Sequence, residues 1–461
     1  MRTISTVSPS TGAPLESYPV TDEGDIDALL DDAVRAQAAW RRTPLKDRLA
    51  IVGEVARLLD TRRDQLAALA VAEMGKPLDQ AREEVQKCAT VCAHVVEHAE
   101  QALADESVTT PTRQGTVVYE PLGVALAVMP WNYPFWQVVR FGIPALAAGN
   151  AIVLKHAPNV TGAALALVRL FSDAGFPPGL FTVLVVDPRE TSEIVTGLIG
   201  DPRIAAVTFT GSNATGARIA KTAGAALKKS VLELGGSDPF VVLDDAELDS
   251  VVPTAVSARM ANTGQSCLAA KRFIVDERLA EEFCERYVAE MDLWKLADPA
   301  LEGTRLGPLA RPDLADTIRS QVERSAAQGG RVRRSRQPSP TGPAWCVPAV
   351  VLDATPGMAV MAEETFGPVA AVATFRKEAD AVMLANATVY GLGASVWSSD
   401  PNRALELGSQ IVSGSLFVNA VVASDAYLPL GGVKDSGYGR ELGVAGLREM
   451  VNVRSVVVQA P

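Results

Sequence analysis

The sequence predicts an α/β protein of two domains with the functional site between them. Three observations support this. Strand-like and helix-like segments alternate from about residue 117 onward, and such alternation implies βαβ units and a mostly parallel sheet covered by helices. The chain has 461 residues, 48% of them hydrophobic, enough to bury two or three substantial cores. Short glycine-bearing loops punctuate the strand ends, where such folds carry their chemistry.

Residues 24–104 read as helical. An amphipathic pattern opens at Asp25-Ile26-Asp27 and runs through Trp40, a second begins near Pro44, and a third near Pro77. Val117–Tyr119 and Val124–Val128 read as strands separated by a Pro-Leu-Gly turn. Three strand and helix pairs follow: Ala151–Leu154 with Gly162–Ala174, Phe181–Val186 with Thr191–Ile199, and Ala205–Thr210 with Thr215–Ser230. A second alternating block starts at Pro239–Leu243 and includes the strand Phe273–Val275 and a helix over Ala280–Leu293. The β-branched run Val451–Gln459 reads as an edge strand that pairing with another subunit would stabilise.

The formal charge is −11, which disfavours nucleic acid as a partner. The cluster Arg331, Arg333, Arg334, Arg336 reads as a solvated loop. Met1–Ser5 lacks the apolar run of a signal peptide, and no segment reaches the ~20 apolar residues of a membrane span. Five irregularly spaced cysteines suit a reducing, cytoplasmic protein rather than a disulfide scaffold. Cys88, Cys92, His94 and His98 invite a metal hypothesis. The cysteine pair and the histidine pair are rotated from each other on one straight helix, so all four cannot converge on one ion, and no metal is expected.

The chemistry-bearing segment is Asn262-Thr263-Gly264-Gln265-Ser266-Cys267, with Glu233-Leu234-Gly235-Gly236 upstream. A thiol is nucleophilic as its thiolate and needs a base or a local charge to ionise. A glycine-flanked loop lets backbone approach a substrate, and a glutamate can activate water to clear a covalent intermediate. The loop Thr210–Gly216 follows a strand and opens a helix, which offers free N–H groups to a phosphate. Its glycines are five apart, so it is not the G-x-G-x-x-G pattern, and a plain turn reads equally well. Pro130-Trp131-Asn132-Tyr133-Pro134 is a proline-bounded turn that would hold the Asn132 amide. Gly431–Glu441 is a further glycine-rich loop.

Together these motifs resemble the aldehyde dehydrogenase superfamily over almost the whole chain. They are Pro130-Trp131-Asn132, Lys155, Phe209-Thr210-Gly211-Ser212 with Gly216, Glu233-Leu234-Gly235-Gly236, Gly264-Gln265 with Cys267, Glu364-Thr365-Phe366-Gly367-Pro368, and Gly431-Gly432 with Lys434, Ser436-Gly437 and Gly439-Arg440. Leu154–Asn159 and Glu233–Phe240 resemble the shorter bacterial succinate-semialdehyde dehydrogenases. The resemblance implies an aldehyde dehydrogenase-like fold of two Rossmann-like α/β domains plus a small β oligomerisation element. Residues 1–105 and 122–233 would bind the dinucleotide, 234–430 would carry the nucleophile, and 106–121 with 431–461 would supply the oligomerisation strands and a C-terminal active-site loop.

The roles implied are these. Cys267 attacks the aldehyde carbon, and Asn132 with the Cys267 N–H holds the oxyanion, at ~3 kcal/mol per donor. Glu233 activates the hydrolytic water. Trp131, Gly211, Ser212 and Gly216 lie along the pyrophosphate, Lys155 at the adenosine ribose, Glu364 at the nicotinamide ribose and Phe366 beside the ring. NAD-preferring relatives often carry a glutamate three residues after the lysine; Pro158 stands there, so the cofactor reads as NAD or NADP. Arg140 meets the substrate carboxylate in relatives acting on succinate semialdehyde; its bland reading is a structural ion pair. A second arginine found in some relatives is replaced by Ala261, which leaves Ser424 and its loop to compensate. The function implied is NAD(P)-dependent oxidation of a small aldehyde, foremost succinate semialdehyde, by a homodimer or homotetramer. The alternatives are another small aliphatic or aromatic aldehyde, acyl transfer to coenzyme A (against which Glu233 argues), and a cofactor-free thiol esterase.

Overall fold

The computed structural model describes residues 2–111 and 113–458. The chain opens with an antiparallel hairpin of β1 (Thr3–Val7) and β2 (Pro14–Pro19). Four helices follow: α1 (Glu23–Trp40), α2 (Leu45–Thr61), α3 (Arg63–Met74) and α4 (Leu78–Ala102). One more helix forms here than the periodicity predicts, because the chain bends at Arg62 (φ −106°, ψ 14°) between α2 and α3. Pro44 and Pro77 stand just before α2 and α4, where a missing N–H is harmless. Gly75 closes α3 in the left-handed region, and a Cβ there would sit 2.7 Å from Pro308.

β3 (Glu106–Thr109) and β4 (Gln114–Pro121) pair antiparallel. The first βα block then runs β5 (Val124–Met129), α5 (Trp136–Ala147), β6 (Ala151–His156), α6 (Thr161–Ala174), β7 (Phe181–Val183), α7 (Thr191–Gly200), β8 (Ile204–Thr210), α8 (Asn213–Ala225) and β9 (Lys229–Glu233). Its parallel strands lie in the order β9-β8-β5-β6-β7. Every residue of β5 and β6 is buried, which is why both read as continuous apolar runs.

Two expectations in this block change. The helix expected to reach Ser230 stops at Ala225. Leu227 turns the chain at φ 55°, and Ser230 lies in β9, paired in register with Val207 of β8. The strand expected over Phe181–Val186 is limited to its first three residues.

The second block contains β10 (Asp238–Val242), α9 (Leu248–Met260), β11 (Ala270–Asp276), α10 (Glu277–Met291), α11 (Pro312–Ala327), β12 (Arg331–Arg334), β13 (Ala349–Leu352), β14 (Val369–Phe375), β15 (Gly393–Trp397) and β16 (Ser415–Val418). These strands order as β12-β13-β14-β11-β10-β15-β16, and all pairs are parallel except β12 with β13. Arg331, Arg333 and Arg334 are therefore on an edge strand, not in a loop, while Arg336 lies beyond its end. Arg331 pairs with Asp353, and charge on that edge disfavours further strand addition.

The C-terminal segment returns to the first block. β17 (Gly437–Tyr438) pairs antiparallel with β9, Gly437 opposite Glu233. β18 (Val451–Val457) pairs antiparallel with β4 of the same chain, giving a three-stranded sheet of order β18-β4-β3. One edge of the terminal run is thus satisfied within the chain; Gln459, its expected end, lies outside the described residues. Among the described residues no helix is long and apolar enough to cross a membrane.

Candidate active site

Two cavities meet at Cys267. One is lined by Trp131, Asn132, Gly211, Ser212, Glu364 and Phe366, the other by Lys87, Trp136, Arg140, Ala261 and Ser424; Cys267 and Gln137 line both. The first cavity lies at the carboxyl ends of β5, β8 and β9, where open α/β sheets bind ligands. Cys267 is partly exposed there, not sealed in apolar packing.

The loop that presents Cys267 is held by its neighbours. Past α9 the backbone turns through Asn262 and Thr263, both at φ 54°, ψ 33°, a conformation that costs energy outside glycine. Gly264 follows at φ 76°, and a Cβ there would fall 2.4 Å from the Gly367 carbonyl. Asn262 Nδ2 donates to the Asn132 carbonyl at 2.9 Å and to the Gln265 carbonyl at 3.1 Å. Gln265 Oε1 accepts from Ala310 N at 2.8 Å. Lys271, fully buried on β11, donates Nζ to the Ser266 and Cys267 carbonyls at 2.9 and 2.8 Å. With these carbonyls tied down, the Cys267 N–H donates to no protein acceptor among the described residues.

Asn132 is buried in the turn after β5, and its Nδ2 donates to the Gln265 carbonyl at 3.1 Å. The turn rests on a charge that spacing alone does not reveal. Glu84 of α4 accepts from the N–H groups of Phe135 and Trp136 at 2.8 and 3.0 Å, capping the orphan donors that open α5. Its other oxygen pairs with Lys76, buried with it.

Glu233 ends β9 with Oε1 lacking a protein partner. Burial, reinforced by the nearby Glu441 charge, pushes its carboxyl up to about 8. Burial likewise raises the Cys267 thiol to about 11, while Arg140 and Lys271 pull it down. Arg140 of α5 forms a buried ion pair with Glu441, and its Nη2 has no hydrogen-bond partner. Its bland reading as a structural ion pair is realised, and it also lines the second cavity with Cys267. Ser424 lies on that cavity too, accepting from Lys87 Nζ at 2.6 Å.

On the other side, Trp131 meets Phe366 edge-on at 5.7 Å. Ser212 stands at the N-cap position of α8 without a side-chain capping bond, and a Cβ on Gly211 would strike the Phe209 ring at 2.5 Å. Glu364 accepts from Gly236 N at 3.1 Å and lies 3.6 Å from Lys271. Two expected cofactor residues line neither cavity. Gly216 lies buried within α8, where a Cβ would strike Leu234 at 2.5 Å, so it seats that helix. Lys155 is buried near the end of β6, and its side chain makes no hydrogen bond or ion pair among the described residues.

The aldehyde dehydrogenase family pattern matches residues 1–456. The chain belongs to the aldehyde dehydrogenase family. It is 45% identical to a probable succinate-semialdehyde dehydrogenase (NADP(+)) of Synechocystis sp., over 98% of this chain and 99% of that relative. It is 43% identical to the Escherichia coli succinate semialdehyde dehydrogenase (NAD(P)+), over 98% and 96%. Succinic semialdehyde dehydrogenase from Streptococcus pyogenes, solved with NADP+, superposes with a TM-score of 0.95 at 31% identity, over 99% of this chain and 100% of that one.

For this family member, sequence reasoning missed Lys87, Glu84, Asn213, Lys271 and Glu441. Asn213 had a local signal: it follows Ser212 at the helix start, and it joins Asp435 O at 2.6 Å to Gly235 N at 3.1 Å. Lys87, Glu84 and Glu441 had none, since Ser424, the Phe135 and Trp136 amides and Arg140 are distant in sequence; Lys271 meets the nearby Ser266 and Cys267 carbonyls, but no pattern in its strand marks that contact. His94 and His98, from the metal hypothesis, stack at 4.4 Å, and among the described residues no group of three metal-binding side chains converges.

Proposed function

We propose that this aldehyde dehydrogenase oxidises succinate semialdehyde to succinate with NADP or NAD. The observation that carries the reading is Cys267 as the common wall of a cofactor-side and a substrate-side cavity.

The residues present fit a dinucleotide. Lys155 is a buried ammonium without a protein partner, lowered to about 8 by burial alone; no carboxylate acts on it, as Pro158 implies. A ribose hydroxyl or 2′-phosphate supplies the missing acceptor, which favours NADP as much as NAD. Ser212 and the start of α8 suit a pyrophosphate. Glu364 suits the nicotinamide ribose, and Phe366 with Trp131 forms an apolar wall.

The chain's own groups then act in order. Arg140 Nη2 and Ser424 orient the substrate carboxylate, which points the aldehyde at Cys267. The Cys267 thiol is protonated at rest. Glu233 in its carboxylate form accepts the proton, directly or through water, and the sulfur adds to the carbonyl carbon. Asn132 Nδ2 and the Cys267 N–H donate to the oxyanion. The bound nicotinamide supplies the hydride acceptor that turns the adduct into a thioester. Glu233 releases the thiol proton to solvent, then as the carboxylate takes a proton from the water that attacks the thioester, and returns it to the departing Cys267 sulfur as the acid is released. A panel of aldehydes supplied with NAD and with NADP, followed by reduced-nicotinamide absorbance, tests the reading. Succinate semialdehyde should give the highest kcat/KM; a higher value for an uncharged aldehyde of equal length would overturn it.

Two further readings accompany this one. Five free cysteines suit a reducing cytoplasm. The exposed Val453, Val457 and Val458 on and beside β18 suit burial against a second copy, as a homodimer or homotetramer. Light scattering on the eluting protein tests the latter, and a monomeric mass would refute it.

A further inference from the structure

We propose that Lys87 is a second cation recognising the substrate carboxylate and thereby sets specificity for aldehyde acids, an inference that rests on the substrate reading above. The need for it arises at Arg140. That guanidinium is already paired with buried Glu441, so the pair offers a free Nη2 donor but little net positive charge. An entering carboxylate loses hydration and requires an uncompensated cation to replace it.

Lys87 meets that requirement. It lies on α4, lines the same cavity as Arg140 and Cys267, and forms no ion pair among the described residues. Its Nζ sits 4.5 Å over the Trp136 ring and donates to Ser424 Oγ at 2.6 Å. Both contacts aim the ammonium without neutralising it, and Ser424 keeps its own O–H free to donate. Lys87, Ser424 and Arg140 Nη2 then provide donors from three separate elements, enough for both carboxylate oxygens. Ala261, on this same cavity wall, offers no charge or donor, so Lys87 supplies from α4 what that side lacks.

The charged and titratable groups facing Lys87 are Glu84 and Cys88 on its own helix, Arg140 on α5 and Asp425 on the loop. Glu84 is committed to Lys76 and two backbone amides. Burial, then Arg140, lowers the ammonium to about 8. The preference for an acid substrate should therefore fall as pH rises through that value.

The test compares succinate semialdehyde with butanal, using NADP, in the parent and in Lys87→Met, Lys87→Gln and Lys87→Arg. In Lys87→Met and Lys87→Gln the ratio of kcat/KM values, acid over neutral, should drop by about tenfold to a hundredfold, the size of a lost charged hydrogen bond. Lys87→Arg should keep most of the ratio and flatten its decline between about pH 7 and 9, because arginine stays charged there. Taking the ratio cancels titrations that act on both substrates. A parent that prefers the acid while the neutralised variants keep the full ratio overturns the role of Lys87 alone. A parent without any preference for the acid overturns the substrate reading and this inference together.

Discussion

The ammonium of Lys271 donates to the carbonyl oxygen of Cys267 at 2.8 Å, so a buried cation holds the backbone of the proposed nucleophile from behind. The same ammonium holds the Ser266 carbonyl and lies beside Glu364, linking the thiol loop to a cofactor-side carboxylate. Lys271→Met should free both carbonyls and cost about 2–3 kcal/mol of stability. It should also lower kcat more than it raises KM, since it misplaces a reacting group. Thermal unfolding and steady-state kinetics on one preparation check this, and a variant with parental kcat would show that the loop needs no such support.

Cys267→Ala should remove dehydrogenase activity by at least about 10⁴-fold. Cofactor binding, measured by quenching of Trp131 fluorescence, should survive. Substantial turnover in that variant would move the nucleophile elsewhere.

Glu233→Gln should form about one equivalent of reduced cofactor and then stall as a thioester, because the missing group acts in hydrolysis. Slow first turnover is also expected if, as proposed, Glu233 accepts the thiol proton. Mass spectrometry of the stalled protein should show an acyl adduct on Cys267. An unchanged steady-state rate would assign water activation to another group.

The pH profile follows from burial of Glu233. Its carboxyl, raised to about 8, is protonated at pH 7, so kcat should climb as pH rises through that value and then level off. Stability moves the opposite way. The folded state holds this proton up to about 8, whereas an unfolded glutamate releases it near 4.5. The associated stability is complete below the lower value and is lost as pH rises through the upper one. Glu233→Gln should lose less thermal stability than the parent between about pH 5 and 9, and parallel losses would contradict the assignment.

Gly236→Ala tests close packing behind the thiol. A Cβ there would fall 2.6 Å from the Cys267 carbonyl oxygen, closer than such atoms approach. The loop must shift, and a displacement of ~1 Å costs on the order of a hundredfold in rate. Circular dichroism should show a folded protein of low kcat.

The groups placed in the chemistry were legible where a local backbone demand left a mark beside them. Cys267 follows a glycine-bearing turn, Asn132 sits between two prolines, and Glu233 precedes a glycine pair that packs against the loop. Lys87, Lys271, Glu84 and Glu441 left no such mark. A lysine on an amphipathic helix has the same spacing whether it faces water or a cavity, and only the packing of distant elements decides. Local pattern also misled at Ser230. Lys228 and Lys229 continue a helical periodicity, yet pairing with β8 draws the segment into the sheet. The arginines at 331–334 read as loop for a similar reason: charge suits solvent equally well on an edge strand.

Gly437 stands opposite Glu233 in the sheet, and Glu441 neutralises Arg140 only four residues later. The group proposed to activate water and the group proposed to orient the carboxylate both therefore depend on one segment, Gly437 to Glu441, that lies far beyond them in the sequence. A chain cut before Gly437 would still carry the thiol yet lack both supports, and it should therefore be inert.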